Sequence, residues 1–178
     1  MRIISGTLKG RIFNPPKNLP ARPTTDFAKT GLFNILNNLY EFNGLKTLDL
    51  FGGTGNISIE FISRGVSEAC YVELNSNCVK FISQEKTKLG INNLHIHKKD
   101  VFSFLKASGE KFDIIFADPP YDTNDAIKVA EEVFQLSLVK ENGMLIVEHS
   151  SRQKLDSHKY FKQTRKYGNV HFSFFHEF

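Results

Sequence analysis

The sequence has few of the features that mark membrane, secreted or metal-binding proteins. Its longest apolar runs fall far short of the roughly twenty residues that a membrane span needs, and residues 1–6 lack the apolar core and cleavage site of a signal peptide. Two cysteines, Cys70 and Cys78, are too few for a disulfide framework or a zinc pattern. We therefore expect a cytoplasmic protein with no structural metal and no membrane partner.

Acidic and basic residues are unevenly distributed along the 178 residues. The net charge is +4, but residues 1–29 carry six basic side chains and one acidic one, and residues 152–178 carry six basic and two acidic. The residues between them carry 11 basic and 16 acidic side chains. Basic ends on an acidic body are typical of a catalytic domain whose flanks face a nucleic acid, although they also serve solubility alone.

The first 43 residues predict a small extension of the fold. Residues 3–13 alternate around glycines as in a short β-hairpin, and four prolines keep residues 14–23 extended. A Thr24-Thr25-Asp26 N-cap then predicts a helix over 26–40, with an apolar face of Phe27, Leu32, Phe33, Leu36 and Leu39. We expect this extension, residues 1–43, to precede a catalytic domain over 44–178.

From residue 46 onwards, strand-like and helix-like segments alternate. The predicted strands cover 47–51, 69–73, 94–97, 112–117 and 143–147, and the predicted helices cover 57–63, 77–89, 102–106 and 125–136. Repeated βαβ units imply a parallel sheet covered by helices on both faces. A Gly168-Asn169 turn within 160–178 predicts a closing antiparallel hairpin. The fold class is therefore α/β, a Rossmann-like doubly wound sheet that is mostly parallel.

A glycine-rich turn follows the first of these strands and reads Asp49-Leu50-Phe51-Gly52-Gly53-Thr54-Gly55. Ligands bind at the carboxyl ends of parallel strands, and glycines let the backbone approach a ligand closely. The dinucleotide fingerprint would need a glycine at position 58, which is serine here. Asp49 also suits a cation better than a pyrophosphate. These features favour S-adenosylmethionine over a nicotinamide dinucleotide, although a plain tight turn is the simpler alternative.

The next two strand ends carry residues suited to an adenosine. Glu73, which Leu74 follows, is placed to accept both ribose hydroxyls, a feature shared with nicotinamide enzymes. After the third strand, Asp100-Val101-Phe102 places a carboxylate for the adenine amino group between apolar side chains. A solvated charge at the end of a strand is the alternative reading of Glu73.

The fourth strand runs into Asp118-Pro119-Pro120-Tyr121. An exocyclic base amine is a poor nucleophile because its lone pair is delocalised, so methylating it requires acceptors that hold its N–H groups. The carboxylate of Asp118 and the carbonyl of Pro119 are such acceptors, and the two prolines keep the loop rigid. Tyr121 offers a ring on which a flipped base can stack. This motif predicts an amino-methyltransferase that acts on a nucleic-acid base.

Together with these motifs, the first 36 residues make the sequence resemble one family. They contain Arg2-Ile3-Ile4-Ser5-Gly6, Lys9-Gly10-Arg11, Arg22-Pro23-Thr24-Thr25-Asp26 and Leu32-Phe33-Asn34-Ile35-Leu36. Over nearly its whole length the chain resembles the bacterial small-subunit ribosomal RNA guanine-N2 methyltransferases. The resemblance implies S-adenosylmethionine as methyl donor and a guanine of 16S ribosomal RNA as acceptor. Where the family has an Arg-Glu pair this chain has Lys29-Thr30, so no role is carried over to Thr30.

Seven N-terminal residues are candidate RNA contacts. We expect five to bind phosphates and two threonines to bond to the backbone: Arg2, Lys9, Arg11, Arg22, Lys29, Thr24 and Thr25. We expect the protein to be a monomer. Its RNA substrate would be either free 16S ribosomal RNA or the same RNA in an assembling subunit. Three alternatives stay open: an adenine-N6 methyltransferase with the same loop, a nicotinamide-dependent oxidoreductase, and a non-catalytic assembly factor, which would lose Asp118.

Overall fold

The computed structural model describes residues 1–16, 19 and 24–177. Their main body is one seven-stranded sheet in the order β3-β2-β1-β4-β5-β7-β6. The strands are β1 Lys46–Leu50, β2 Glu68–Glu73, β3 Leu94–Lys98, β4 Phe112–Ala117, β5 Val139–His149, β6 Phe161–Tyr167 and β7 Val170–Phe175. Strands β1 to β5 pair in parallel, and β7 is antiparallel to both β5 and β6. The predicted Rossmann-like sheet with its C-terminal hairpin is confirmed.

Helices cover both faces of the sheet, each over its own apolar core. One face carries α1 Asp26–Leu39, α2 Asn56–Ser63 and α3 Ser76–Lys88, and the other carries α4 Val101–Ala107 and α5 Asp125–Gln135. The expected bounds of these helices and of β1 to β4 differ from the observed ones by one residue at most. Strand β5 begins earlier than expected, through a register shift beside Asn142, whose φ is +61°. None of the described helices is long and apolar enough to cross a membrane.

Residues 1–25, which precede α1, are called the N-terminal segment below. The described part of this segment packs onto the core beneath α1, α2 and α3. Ile3 and Phe13 are buried in it. The expected short hairpin is present as an antiparallel bridge between Arg2 and Ile12, flanked by backbone hydrogen bonds from Ile3 N to Arg11 O and from Phe13 N to Met1 O. Gly6, at a φ of +82°, lies against the backbone of α2, where an added Cβ would stand 1.7 Å from the carbonyl oxygen of Ser63. Only a glycine fits this approach. A domain boundary after residue 43 stays a prediction.

Helix α1 buries a different face from the one expected. Its buried residues are Ala28, Lys29, Leu32, Phe33 and Leu36, whereas Phe27 is 68% and Leu39 55% exposed. Placing Phe27 and Leu39 on the apolar face was therefore wrong. Assigning Lys29 to an RNA phosphate was also wrong, because its side chain is fully buried and points at α2.

Lys29 forms an ion pair with Glu60 of α2, at 3.2 Å between Nζ and Oε2, with both side chains fully buried. The ammonium also donates to the carbonyl of Arg2 at 2.8 Å and to Oδ1 of Asn56 at 2.7 Å. Glu60 in turn accepts from the backbone N–H groups of Ile4 and Ser5. Burial lowers the pKa of Lys29, and the charge of Glu60 opposes that shift. These bonds compensate the cost of burying two charges, and they tie the N-terminal segment, α1 and α2 together.

Removing the Lys29 ammonium should destabilise the fold. Lys29→Ala removes one of the two cations paired with Glu60, because Arg64 stays 2.9 Å from Oε1, and it leaves the carbonyl of Arg2 and Oδ1 of Asn56 without their donor. We therefore expect the free energy of unfolding to fall by about 1–3 kcal/mol. Urea denaturation measures this, with Lys9→Ala as the control, because exposed Lys9 should change stability by less than about 0.5 kcal/mol. A Lys29→Ala variant as stable as the wild type would contradict the structural role.

Candidate active site

A cavity of about 660 Å³ opens at the carboxyl ends of the central strands. Its wall contains the glycine-rich turn after β1, Glu73 at the end of β2, and the loop that follows β4. Thr24 and Thr25 of the N-terminal segment complete it. The volume lies within the range of small-molecule sites, about 300–1,000 Å³. The strand-end motifs therefore meet in one place, as the parallel sheet requires.

The glycine-rich turn is closely packed, and the N–H groups of its three glycines are used internally. Gly52 lies on the ring of Tyr71, where an added Cβ would stand 2.3 Å from a ring carbon. The N–H of Gly52 donates to Val72 O, that of Gly53 to Glu73 Oε2, and that of Gly55 to Gly52 O, at 2.8–3.0 Å. Because these donors are already engaged, the turn does not offer a phosphate the row of free N–H groups that nucleotide loops use.

Glu73 braces this turn from the neighbouring strand. Its Oε2 accepts from Gly53 at 3.0 Å and its Oε1 accepts from the N–H of Asn75 at 2.7 Å. Each carboxylate oxygen has a second lone pair, which leaves two acceptors on a half-buried side chain in the cavity wall. Leu74, the next residue, is 62% exposed beside it.

Asp49 lies at the base of the cavity and is 3% exposed. Its Oδ2 accepts from both the backbone N–H and the hydroxyl of Ser58, at 3.1 and 2.5 Å. Burial raises the pKa of Asp49 to about 7, against the bonds from Ser58 that lower it. The serine that interrupts the dinucleotide fingerprint therefore anchors this carboxylate to α2.

Asp118 presents to the cavity an unshared carboxylate, that is, one to which no other described residue donates a hydrogen bond. It follows directly after β4 and is half-buried in the cavity wall, and within the described part of the chain no donor bonds to its side chain. Burial, followed by the negative charges of Glu148 and Asp49, raises the pKa of Asp118 well above its usual value. A neighbouring cation or N–H donor would relieve this repulsion.

Glu148 is the site residue that the sequence reasoning missed. Alternation along β5 points the two neighbouring side chains to opposite faces, with Glu148 in the cavity wall and His149 towards Ser173. Because Ala117 pairs with Val147, Glu148 stands level with Asp118 on the adjacent strand. The available signal was an acid near the end of a parallel strand, the same signal that singled out Glu73.

The third strand end lies beside the cavity. Asp100 is exposed and caps α4, accepting from the N–H of Ser103 at 2.9 Å, and this bond lowers the pKa of Asp100. Val101 is buried. Phe102 contacts Phe51 edge to face, with ring centroids 6.4 Å apart. Since Phe51 lines the cavity, this pair extends its apolar wall towards Asp100, whose adenine contact stays a prediction.

The candidate RNA contacts are divided between surface and interior. Arg2, Lys9 and Arg11 are exposed, and Thr25 is an exposed N-cap that accepts from the N–H of Ala28. Thr24 is different, because it is buried and its hydroxyl donates to Glu148, so the expected bond to the RNA backbone is not available to it. Arg22 lies outside the described residues.

The charge of the cavity wall identifies the kind of ligand it fits. Its acids include Asp49, Glu73, Asp118 and Glu148, and no described lining residue is lysine or arginine. Such a wall suits a cation that also carries hydroxyl groups, and it disfavours a pyrophosphate, which needs cations or free amides. S-adenosylmethionine, with its sulfonium and amino groups, fits this set of acceptors.

Comparisons with known proteins agree with this chemistry. The model of the family described as Conserved hypothetical protein 95 matches residues 1–176. The chain belongs to this family. YlbH of Bacillus subtilis is 30% identical, over 87% of this chain and 85% of YlbH. A protein of Buchnera aphidicola subsp. Baizongia pistaciae, named ribosomal RNA small subunit methyltransferase D, is 29% identical over 98% and 91% of the two chains.

A solved structure shares the complete fold. A hypothetical protein of Thermus thermophilus superposes with a TM-score of 0.86 at 27% identity, covering 98% of each chain. The predicted fold, the family resemblance and the prediction of an S-adenosylmethionine-dependent methyltransferase are thus confirmed. The acidic cavity wall argues against the oxidoreductase alternative, because the pyrophosphate of a nicotinamide dinucleotide would need cations there.

Binding of S-adenosylmethionine should strengthen as the pH rises between about pH 6 and pH 8. The raised pKa values of Asp49, at about 7, and of Asp118 mean that acid keeps these carboxyls neutral, and a cation favours their ionised forms. Binding should therefore release protons, which calorimetry in buffers of different ionisation enthalpy measures. S-adenosylhomocysteine, which lacks the methyl group and the charge on sulfur, is the control and should show a smaller slope. Equal slopes for both ligands would contradict the electrostatic account.

Proposed function

We propose that the chain transfers a methyl group from S-adenosylmethionine to the exocyclic N2 amine of a guanine in 16S ribosomal RNA. The observation that carries the proposal is the unshared Asp118 carboxylate, which faces an acidic cavity of cofactor size. The name of the Buchnera relative, ribosomal RNA small subunit methyltransferase D, supports the choice of RNA. When bound, S-adenosylmethionine supplies an electrophilic methyl group, so no covalent enzyme intermediate is required.

One half of the cavity would hold the cofactor. The remaining lone pairs of Glu73 accept the ribose hydroxyls, and the turn formed by Gly52, Gly53, Thr54 and Gly55 provides a closely packed floor. Asp49 contributes negative charge opposite a cation. Phe51, Leu74, Val101 and Phe102 flank the adenine, with Asp100 accepting from its amino group.

The other half would receive the base. The Asp118 carboxylate and the Pro119 carbonyl accept from the two N–H groups of the guanine amine, and Pro120 keeps the loop rigid. Tyr121, whose side chain is 40% exposed at the cavity mouth, stacks on the base. Asp118 takes up a proton only after the nitrogen has become cationic. Positioning then provides most of the acceleration, for which about 7–11 kcal/mol is available in well-oriented reactions.

Two alternatives are decided by experiment. Adenine-N6 methylation uses the same kind of loop, so the identity of the methylated nucleoside has to be determined. A non-catalytic assembly factor would have no use for an unshared Asp118 in the cavity wall. We further propose that the enzyme is a cytoplasmic monomer and that its substrate is 16S ribosomal RNA, free or in an assembling subunit.

Asp118→Asn should abolish most of the activity while sparing the cofactor site. The amide keeps the size of the side chain but replaces one acceptor with a donor, so we expect single-turnover methylation of 16S ribosomal RNA to fall about 100- to 1,000-fold. Affinity for S-adenosylhomocysteine should change little. Rapid quench with a labelled methyl group, followed by nucleoside analysis, measures the rate and identifies the base. Asp125→Asn, at the start of α5, is the control; near-normal turnover by Asp118→Asn would rule out the acceptor mechanism.

The basic residues of the N-terminal segment should bind RNA phosphates. Reversing Lys9, Arg11 and Arg22 to glutamate should weaken RNA binding strongly, and each lost phosphate contact should reduce the log–log salt slope by about 0.7. Titrations of 16S ribosomal RNA at several salt concentrations measure this. The control reverses Lys88, Lys106 and Lys111, which lie outside the N-terminal segment. If the N-terminal variant folds and binds RNA with an unchanged salt slope, this segment does not contact phosphates.

A further inference from the structure

Glu148 joins two segments of the cavity wall that are distant in sequence. Its Oε2 accepts from the hydroxyl of Thr24, in the N-terminal segment, and its Oε1 accepts from the hydroxyl of Tyr121, in the loop after β4, both at 2.8 Å. The residue is 3% exposed. Neither Thr24 nor Tyr121 belongs to a strand of the sheet. The Glu148 carboxylate therefore connects the N-terminal segment directly to the loop after β4.

The burial of Glu148 makes the two bonds interdependent. A carboxylate removed from water is tolerated only when donors replace the lost hydration. Burial raises the pKa of Glu148, while the bonds from Tyr121 and Thr24 lower it and so favour the ionised form. If either Thr24 or Tyr121 withdraws its hydroxyl, one buried oxygen of Glu148 loses its donor. The buried position of the Glu148 side chain, which the other hydroxyl needs for its own bond, then becomes less favourable.

The link continues from Thr24 to the cofactor side of the site. The carbonyl of Thr24 accepts from Nδ2 of Asn56 at 3.1 Å, and Oδ1 of Asn56 accepts from Lys29 at 2.7 Å. Asn56 is the first residue of α2, directly after Gly55. A continuous set of polar contacts therefore runs from the Lys29–Glu60 pair through Asn56, Thr24 and Glu148 to Tyr121, and it is buried except at Tyr121.

We propose that Glu148 is a positioning residue that couples the docking of the N-terminal segment to the conformation of the Tyr121 loop. Through it, the part of the chain that carries the candidate phosphate contacts determines how the Tyr121 ring is held at the mouth of the cavity. Glu148 acts through these two hydroxyls and not on the base, because it is 3% exposed, whereas half-buried Glu73 keeps its second lone pairs open to the cavity. The significance for methylation rests on the proposed function, but the coupling does not.

Amide hydrogen exchange tests the coupling without any substrate. Thr24→Val removes one hydroxyl and keeps the shape of the side chain. If Glu148 transmits the change, exchange in residues 121–125 should become faster by about 2-fold or more, the lower end of couplings between neighbouring residues. Adding Thr24→Val to Glu148→Gln should have little further effect on this loop. Tyr40→Phe, which removes a hydroxyl bonded to Asn142 O at 2.9 Å elsewhere on the surface, is the control.

Two results would overturn the coupling. One is unchanged exchange of residues 121–125 in Thr24→Val, and the other is an effect of Thr24→Val that is equally large with and without Glu148→Gln. In either case Glu148 serves only as a local partner for each hydroxyl. Both variants retain the volume of the natural side chain, and thermal melts identify any exchange that follows from global unfolding instead.

Kinetics then test the consequence for the reaction. Thr24→Val and Tyr121→Phe should each slow single-turnover methylation, leave affinity for S-adenosylhomocysteine unchanged, and combine less than multiplicatively in the double variant. Glu148→Gln should also move the acid limb of the rate profile to lower pH, because removing its charge lowers the pKa of Asp118. Multiplicative effects and an unmoved acid limb would contradict the role in catalysis. If the wild type methylates no guanine, the proposed function fails, and the exchange experiment alone decides the coupling.

Discussion

The buried ion pair between Lys29 and Glu60 determines where the N-terminal segment lies, and the remainder of the site depends on that placement. Both side chains are fully buried, and besides the Arg64 guanidinium on Glu60 the pair is completed by the carbonyl of Arg2 and the N–H groups of Ile4 and Ser5. Satisfying these charges docks the segment on α1 and α2. Docking in turn brings Thr24 to the cavity, where it contacts Asn56 and Glu148.

A second constraint is the concentration of negative charge at the carboxyl ends of the strands. Asp49, Asp118 and Glu148 all have raised pKa values, with burial as the largest cause. Without a cation this arrangement is unfavourable, and a positively charged ligand relieves it. The site is therefore organised for a cationic cofactor beside a neutral amine. The residues proposed to contact RNA lie apart from this charge, with Arg2, Lys9 and Arg11 exposed in the N-terminal segment.

Local sequence patterns predicted the sheet and its strand-end motifs well, because alternation and glycine placement report directly on strands and turns. Other features depend on tertiary contacts. Lys29 looked like a surface cation, since nothing nearby in sequence reveals that Glu60 will bury it. Phe27 was placed in the core because helical spacing alone leaves the buried face uncertain by about one residue. The bonds that Glu148 receives come from positions 24 and 121, which only the fold brings together.

The measurement that tests the central claim most directly is mass mapping of 16S ribosomal RNA from cells with and without the gene. The account predicts one guanine that carries an N2-methyl group when the gene is present and lacks it when the gene is removed. Restoring the wild-type gene should restore the methyl group, and restoring the Asp118→Asn form should not. An identical methylation pattern in both strains, or loss of a methyladenine in place of a methylguanine, would contradict the account.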